Sequence, residues 1–484
     1  MKIAPRVHVA AGSRPLIAGL TASVAARMSY VALLIAAPLL PQIGNSYWTY
    51  PAVSHAWVLI PLCVLFLLPL VDIHRLRRSS HLDLLVLLSF GVALGSWGHS
   101  SSLSLLFVYA PLTYLLVRMA SLARLGRAPR TDVSIARSSP WLGSSWLLAG
   151  IVVLVAVHVS WTLGGQVGTD VGPASVHGAL RLVHGAPVYG IDHAATAKLG
   201  YDPHEDAYGP ALYESYIPFA SIAGTNAGAR LAALFFDLLS AVLLFAIGHQ
   251  VRGPTMGVTL AYAWLAFPFT LYSGGLAAND SIVAAALLGT LLVAASPARR
   301  GVMTALAAWT KLSPLALVPL MISHGPPASG RRRAMLVFAV AFALATAVVV
   351  APTLLHSSLS AFATRTFGYQ LGRAPEFSIW RRLSVGGFPG ASWITPASQI
   401  AHGLTIALTG GFALALLRVP RRQDLVGLAS ASAAVLIALQ LCDGYYSFTY
   451  ILWFAPLVLL ALLLSRDERQ ETTVSALGRP VRTS

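Results

Sequence analysis

Long apolar runs separated by short polar ones dominate the chain. Runs near 28–44, 56–71, 82–97, 103–119 and 141–163 come first, and after a polar stretch others follow near 229–248, 255–273, 281–295, 302–323, 334–352, 396–417, 425–441 and 449–464. Most approach the roughly 20 residues that a helix needs to cross a hydrocarbon core. The pattern predicts an all-α polytopic membrane protein with about 12 spans.

The polar runs carry the topology. Arg75, Arg77 and Arg78 lie on one side and the uncharged 98–102 turn on the other, and Arg118, Arg124, Arg127, Arg130 and Arg137 bring the chain back to the basic side. That side is the cytoplasm by the positive-inside rule. Residues 164–228 hold Asp170, Asp192, Asp202, Glu205, Asp206 and Glu214 against Arg181 and Lys198, so this long first loop of the core is expected outside, as is a second loop at 353–396. The first run lacks a small-residue cleavage site and reads as an uncleaved span.

One run breaks the alternation. Arg299-Arg300 and Arg331–Arg333 both belong on the cytoplasmic side, yet only the run at 302–323 separates them, and Lys311-Leu312-Ser313-Pro314 interrupts it. Two half-length helices that enter the bilayer and return satisfy the charge rule, and such backbone is tolerated at membrane depth where protein buries it or it lines a cavity. The expected organisation is a four-span extension over 1–140 and a core over 141–465. The core contains the 164–228 loop, the re-entrant short-helix pair at 302–323 and the 353–396 loop. A cytoplasmic tail is expected over 466–484, with both termini on the cytoplasmic side of the cell membrane.

Composition narrows the class. Of 484 residues 56% are apolar and only 10% charged, against roughly 25% charged in soluble domains, which excludes a soluble protein. The formal charge of +16 comes from basic runs between apolar segments, so it signals topology and not a nucleic-acid partner. Cys63 and Cys442 form no disulfide framework or metal spacing, and His177, His184, His193 and His204 share one loop without a zinc pattern. No internal repeat of the transporter kind is visible.

The candidate chemistry lies at the expected outer face. Asp170 follows a span in a glycine-rich turn, where a partly desolvated carboxylate can serve as general base or, more plainly, cap a helix. Lys311 is one of three lysines beside thirty arginines, and an ionisable group in an apolar run points to an anionic partner. Asn279-Asp280 open a span as cap or binding group. Arg373, Arg381 and Arg382, with Arg365, make the second loop basic against the positive-inside rule, which suits a lipid phosphate gripped bidentately. Tyr208, ahead of Tyr213 and Tyr216, offers a sugar-stacking face or an interfacial anchor. Asp237, in mid-span, is expected to face the bundle and pair with a donor.

In order and spacing, Asp170, Gly185-Ala186-Pro187-Val188-Tyr189, Tyr208-Gly209-Pro210, Gly275 to Asp280, and Trp309-Thr310-Lys311-Leu312-Ser313-Pro314 resemble the GT-C superfamily of membrane glycosyltransferases. The likeness is to its bacterial branch related to polyprenyl-phosphate-mannose-dependent mannosyltransferases, the glycosyltransferase 87-like proteins. The four spans before Trp141 lie outside the minimal family core. The resemblance implies a GT-C-like helical bundle and an inverting hexosyltransferase that moves a sugar, mannose in the first instance, from a polyprenyl phosphate to an extracytoplasmic acceptor in cell-envelope glycan, glycolipid or glycoprotein synthesis. Asp170 would be the catalytic base. Lys311, Arg373, Arg381, Arg382, Asn279, Asp280 and Tyr208 would bind substrate. Superfamily members differ on metal use, so a divalent cation remains an open cofactor and no metal ligand is assigned. The alternatives are a multi-span transporter or lipid flippase, or a noncatalytic GT-C-like assembly partner.

Overall fold

The computed structural model describes residues 13–36, 56–71, 79–96, 102–125, 144–165, 167–191, 207–325, 330–372, 378–380, 394–419 and 421–465. Among these the elements are helical throughout. Helices α1 (Ser13–Ala36), α2 (Ala56–Leu67), α3 (Ser79–Ser96), α4 (Ser102–Leu122) and α5 (Ser144–Gly164) overlap the first five apolar runs, with α1 starting well before its run. Then come α6 (Val171–Val183), α7 (Pro210–Arg252), α8 (Pro254–Ala266), α9 (Pro268–Gly275), α10 (Ser281–Leu292) and α11 (Pro297–Ala308). A 3-10 turn at Ser313–Leu317 leads to α12 (Val318–Ile322), followed by α13 (Arg331–Leu354), α14 (Ile394–Ala415), α15 (Leu425–Cys442) and α16 (Ile451–Leu464). Among the described residues five helices, α4, α5, α7, α13 and α15, hold stretches long and apolar enough to cross a membrane.

Three places differ from the run pattern, each for a local reason. Residues 255–273 form two helices, because Pro268 holds Phe267 in an extended conformation (φ −72°, ψ 122°) and bars it from continuing α8. The polar stretch 164–228 contains α6 and the start of α7, a 43-residue helix kinked at Gly224, whose φ of 68° suits glycine. Tyr213 and Tyr216, which read as interfacial anchors, are instead fully buried. Gly178 of α6 makes room for Tyr213, since a Cβ there would lie 2.1 Å from its ring.

The interrupted run at 302–323 folds as a pair of short helical arms. α11 stops at Ala308, Lys311 sits in the turn, and the 3-10 segment and α12 lead back. Arg300 of α11 donates to the Met321 carbonyl (2.9 Å) and the His324 carbonyl (2.6 Å), so the two arms meet at their feet.

The N-terminal helices pack directly on the rest of the bundle. α4 lies along α15, Phe66 meets Phe267 (5.6 Å between centroids), Phe90 meets Phe454 (6.1 Å), and the Tyr30 and Tyr262 hydroxyls are 2.8 Å apart. Between α3 and α4 the buried Asp83 carboxylate receives Arg118 and Tyr114, both at 2.8 Å.

Asp237 of α7 is 1% exposed and does face the bundle. His158 Nδ1 of α5 lies 2.7 Å from its Oδ2, and Trp264 Nε1 of α8 donates to Oδ1 at 2.9 Å. Three helices are thus tied at one carboxylate. His158→Ala leaves that carboxylate with the indole alone and is expected to cost about 3–5 kcal/mol, read as a lowered unfolding temperature in detergent, with a smaller loss for His158→Gln. An unchanged transition in His158→Ala would contradict the tie.

Candidate active site

The turn between α9 and α10 is the frame. α9 ends in a Schellman arrangement, with Ala278 N–H donating to the Ser273 carbonyl (3.1 Å) and Ala277 N–H to the Gly274 carbonyl (2.9 Å). Ala277 occupies the left-handed position (φ 53°) that glycine usually takes. This conformation costs about 1 kcal/mol or more. It places Asn279 and Asp280 at the head of α10, where both are buried.

Asp280 occupies the cap position of α10 without capping it by its side chain. Its Oδ1 instead receives Lys311 Nζ at 2.6 Å and Trp453 Nε1 at 2.7 Å. The Lys311 ammonium also stands over three rings, Tyr208 at 5.4 Å, Tyr450 at 5.6 Å and Trp453 at 5.4 Å. One carboxylate and three aromatic faces therefore meet a charge that is only 7% exposed. Each desolvated cation–π contact adds on the order of 0.5–2 kcal/mol. Tyr450 and Trp453 are themselves stacked, with centroids 4.1 Å apart.

Backbone contacts bring Tyr208 here. Gly209 N–H donates to the Thr310 carbonyl (3.3 Å), and a Cβ on Gly209 would lie 2.1 Å from the Trp309 carbonyl oxygen. Only glycine lets the chain lie this close to the arm turn. Burial, and then the charge of Asp170 followed by Tyr450, Asp280 and Tyr213, push the Tyr208 phenol well above its ordinary value. It stays protonated at neutral pH, with the Asp170 and Asp280 carboxylates both near it.

Asp170 stands at the head of α6 and makes no side-chain cap bond to it. Thr169 Oγ1 donates to its Oδ1 at 3.1 Å. α6 is pressed against the frame turn: Gly168 N–H donates to the Leu276 carbonyl (3.3 Å), and a Cβ on Gly172 would lie 2.2 Å from the Ala277 carbonyl oxygen. Asn279 acts as a strut in the same contact, its Nδ2 donating to Ser175 Oγ (3.0 Å) and to the Val171 carbonyl (3.3 Å).

Of the residues singled out in the sequence, Asp170, Tyr208, Asn279, Asp280 and Lys311 converge, with Asn279 turned to α6 and the other four around one centre. Arg373, Arg381 and Arg382 lie outside the described residues, as do His193 and His204. Within the second loop, residues 378–380 are clasped to the end of α15. Ser378 donates to the Gly444 carbonyl (2.6 Å), Trp380 Nε1 donates to the Leu441 carbonyl (3.0 Å), and the Trp380 ring stacks on His402 (4.6 Å). Tyr109 of α4 accepts the Ile379 N–H at 3.2 Å, so the N-terminal extension touches this clasp.

Tyr450 and Trp453 were not foreseen, because aromatic residues at the start of an apolar run read as core. Gln440, a polar side chain inside α15, was the available signal; its Nε2 donates to the Tyr450 carbonyl at 2.8 Å. For a divalent cation the donors fit poorly. Asp280 is committed to an ammonium and an indole, and among the described residues no group of three His, Cys, Asp or Glu stands together, whereas Mg²⁺ and Ca²⁺ prefer sets of oxygen ligands.

Residues 207–442 match the family model of glycosyltransferase family 87. Over that stretch the chain is similar to glycosyltransferase family 87. Together with the apolar helices, the match supports a membrane glycosyltransferase. No curated protein matches the chain. The matched stretch contains Tyr208, Asn279, Asp280 and Lys311, and it stops before Tyr450 and Trp453. Asp170 precedes it.

The α6 contact is testable with two glycines. Gly172→Ala must displace α6 or the frame turn, whereas Gly403 of α14 has open space around it, and an added methyl there favours helix by about 1 kcal/mol. The unfolding temperature in detergent is expected to fall for Gly172→Ala and to hold or rise for Gly403→Ala. Equal responses would contradict the close approach.

Proposed function

We propose that the protein is an inverting hexosyltransferase that moves a sugar, mannose in the first instance, from a polyprenyl phosphate to an acceptor hydroxyl on the extracytoplasmic side of the cell membrane. The observation that carries this reading is the convergence of Asp170, Tyr208, Asp280 and Lys311 from four separate segments on one centre. The acceptor belongs to envelope glycan, glycolipid or glycoprotein.

In this reading Asp170 accepts the proton of the acceptor hydroxyl while its oxygen attacks the anomeric carbon. The bond from that carbon to the lipid phosphate oxygen breaks on the opposite face, which inverts the centre. Negative charge grows on the departing phosphate, so cationic donors aimed there lower the barrier most. Lys311 supplies one of them, and Arg373, Arg381 and Arg382 of the second loop supply the rest. The arginines are needed because Asp280 offsets the charge of Lys311, so the ammonium offers the phosphate a hydrogen-bond donor but little net charge. Tyr208, a neutral phenol over the ammonium, offers its ring to a sugar face.

A lipid-linked donor is supported by a shallow apolar groove of about 550 Å³ along α13, lined by Phe342, Thr346, Val350 and Leu354 among others. Trp309 Nε1, two residues before Lys311, donates to Thr346 Oγ1 at 3.0 Å, so the groove adjoins the arm turn.

Transfer from synthetic polyprenyl-phosphate-mannose to endogenous acceptors in membranes overproducing the chain tests the reading. Asp170→Asn is expected to lower transfer by about 10²–10⁴-fold with normal protein levels, and Lys311→Met by at least about 10²-fold. Undiminished transfer in Asp170→Asn would remove the base. Absence of transfer with mannose, glucose, galactose and arabinose donors alike would remove the donor class.

A further inference from the structure

At the feet of the two arms, one length of α11 away from Lys311, lies a cluster of positive charge that the glycosyltransferase reading does not use. Arg300 and Arg421 are each 1% exposed. Arg300 donates to the carbonyls of Met321, His324 and Ala294. Arg421 donates to the Leu416 carbonyl (2.7 Å), the Leu320 carbonyl (3.1 Å) and Ser323 Oγ (2.9 Å). Arg331, exposed at the start of α13, donates to the Leu417 carbonyl at 2.8 Å. Every one of these acceptors is neutral. Asp424, the nearest acid in sequence, is engaged by Arg422 at 2.6 Å.

The carbonyls belong to the C-terminal ends of α10, α12 and α14, and each helix end carries about −0.5 of an elementary charge. Three ends offset about half of three guanidinium charges. Burial holds Arg300 and Arg421 down to about 10, still charged at neutral pH. His324 adds no charge, because burial and then the Arg300 and Arg421 charges push its imidazole down to about 3. One donor points the same way: Arg421 Nε is buried and has no partner among the described residues. A purely structural clamp explains the carbonyl bonds but leaves both the orphaned Nε–H and the excess charge. Arg299, Arg332 and Arg333 are exposed around the cluster.

We infer that this foot binds a phosphate group, presented by an anionic lipid headgroup or as the free ion, between Arg331 and the uncommitted Nε–H of Arg421. Guanidinium groups match phosphate oxygens in pairs. Basic recesses between helices on the positive side of a membrane protein suit phospholipid headgroups. The site is separate from the outer-face chemistry and does not depend on it.

The test uses the full chain purified in detergent, with unfolding temperature and native mass spectra recorded against phosphatidylglycerol, phosphatidylcholine and inorganic phosphate. Phosphatidylglycerol that stabilises the protein and stays bound, where phosphatidylcholine does neither, assigns a headgroup. Stabilisation by inorganic phosphate that the lipid does not reproduce assigns the free ion. In either case Arg331→Gln, on an exposed side chain, is expected to weaken binding about tenfold, Arg421→Gln by more, and Arg27→Gln not at all. Should Arg421→Gln fail to fold, Arg421→Lys serves in its place, keeping the charge while losing the Nε–H. No preference for any phosphate-bearing probe, or binding unchanged in Arg331→Gln, overturns the proposal.

Discussion

A primary ammonium among apolar helices persists only where its charge is met, and in this bundle the meeting of Lys311 with Asp280 fixes much of the rest. Asp280 stands at the head of α10, so the pair ties the arm turn to the frame turn between α9 and α10. Trp453 donates to the same oxygen and brings in α16. Tyr208 completes the enclosure, held against the arm turn by the bare backbone of Gly209. Removing one partner of such a pair is costly, on the order of 3–5 kcal/mol, because it leaves the other buried and uncompensated.

The same pair shapes what the site can do. Because it is neutral as a unit, it positions donors and aromatic faces without adding net charge to the site. Asp170 is held by a different device, the tight packing of Gly172 on the Ala277 carbonyl and the Asn279 strut. The strained Ala277 conformation serves both, since one turn presents its carbonyl to α6 and its following acid to Lys311. In the proposed reaction these two halves correspond to the two faces of the anomeric carbon, base on one and leaving phosphate on the other.

Much of the helix layout was legible in the sequence, because apolar length is the dominant signal in a membrane chain. The runs at 334–352, 396–417, 425–441 and 449–464 agree with α13 to α16 within a few residues. The broken run around Lys311 is visible from a charge conflict, while the contact of Arg300 with the Met321 and His324 carbonyls is not. Less visible was anything set by contact alone. Pro268 divides a run that hydropathy treats as one, and Tyr213 reads as part of a sugar-stacking or anchoring segment because nothing local tells that Gly178 opens a recess for it. At the site, Asp170, Tyr208, Asp280 and Lys311 stood out as rare polar or ionisable groups near apolar runs. Tyr450 and Trp453 did not, since their role depends on which ammonium they face and not on their own spacing.

The most direct measurement is a double-mutant cycle on the buried pair: Asp280→Asn, Lys311→Met and the two combined, compared by unfolding free energy in one detergent. Each single change is expected to destabilise by about 3 kcal/mol or more. The double change is expected to cost less than the sum, with a coupling of about 1–3 kcal/mol. Strictly additive losses, or single variants as stable as the parent, would contradict the pair as the constraint on which the site is built.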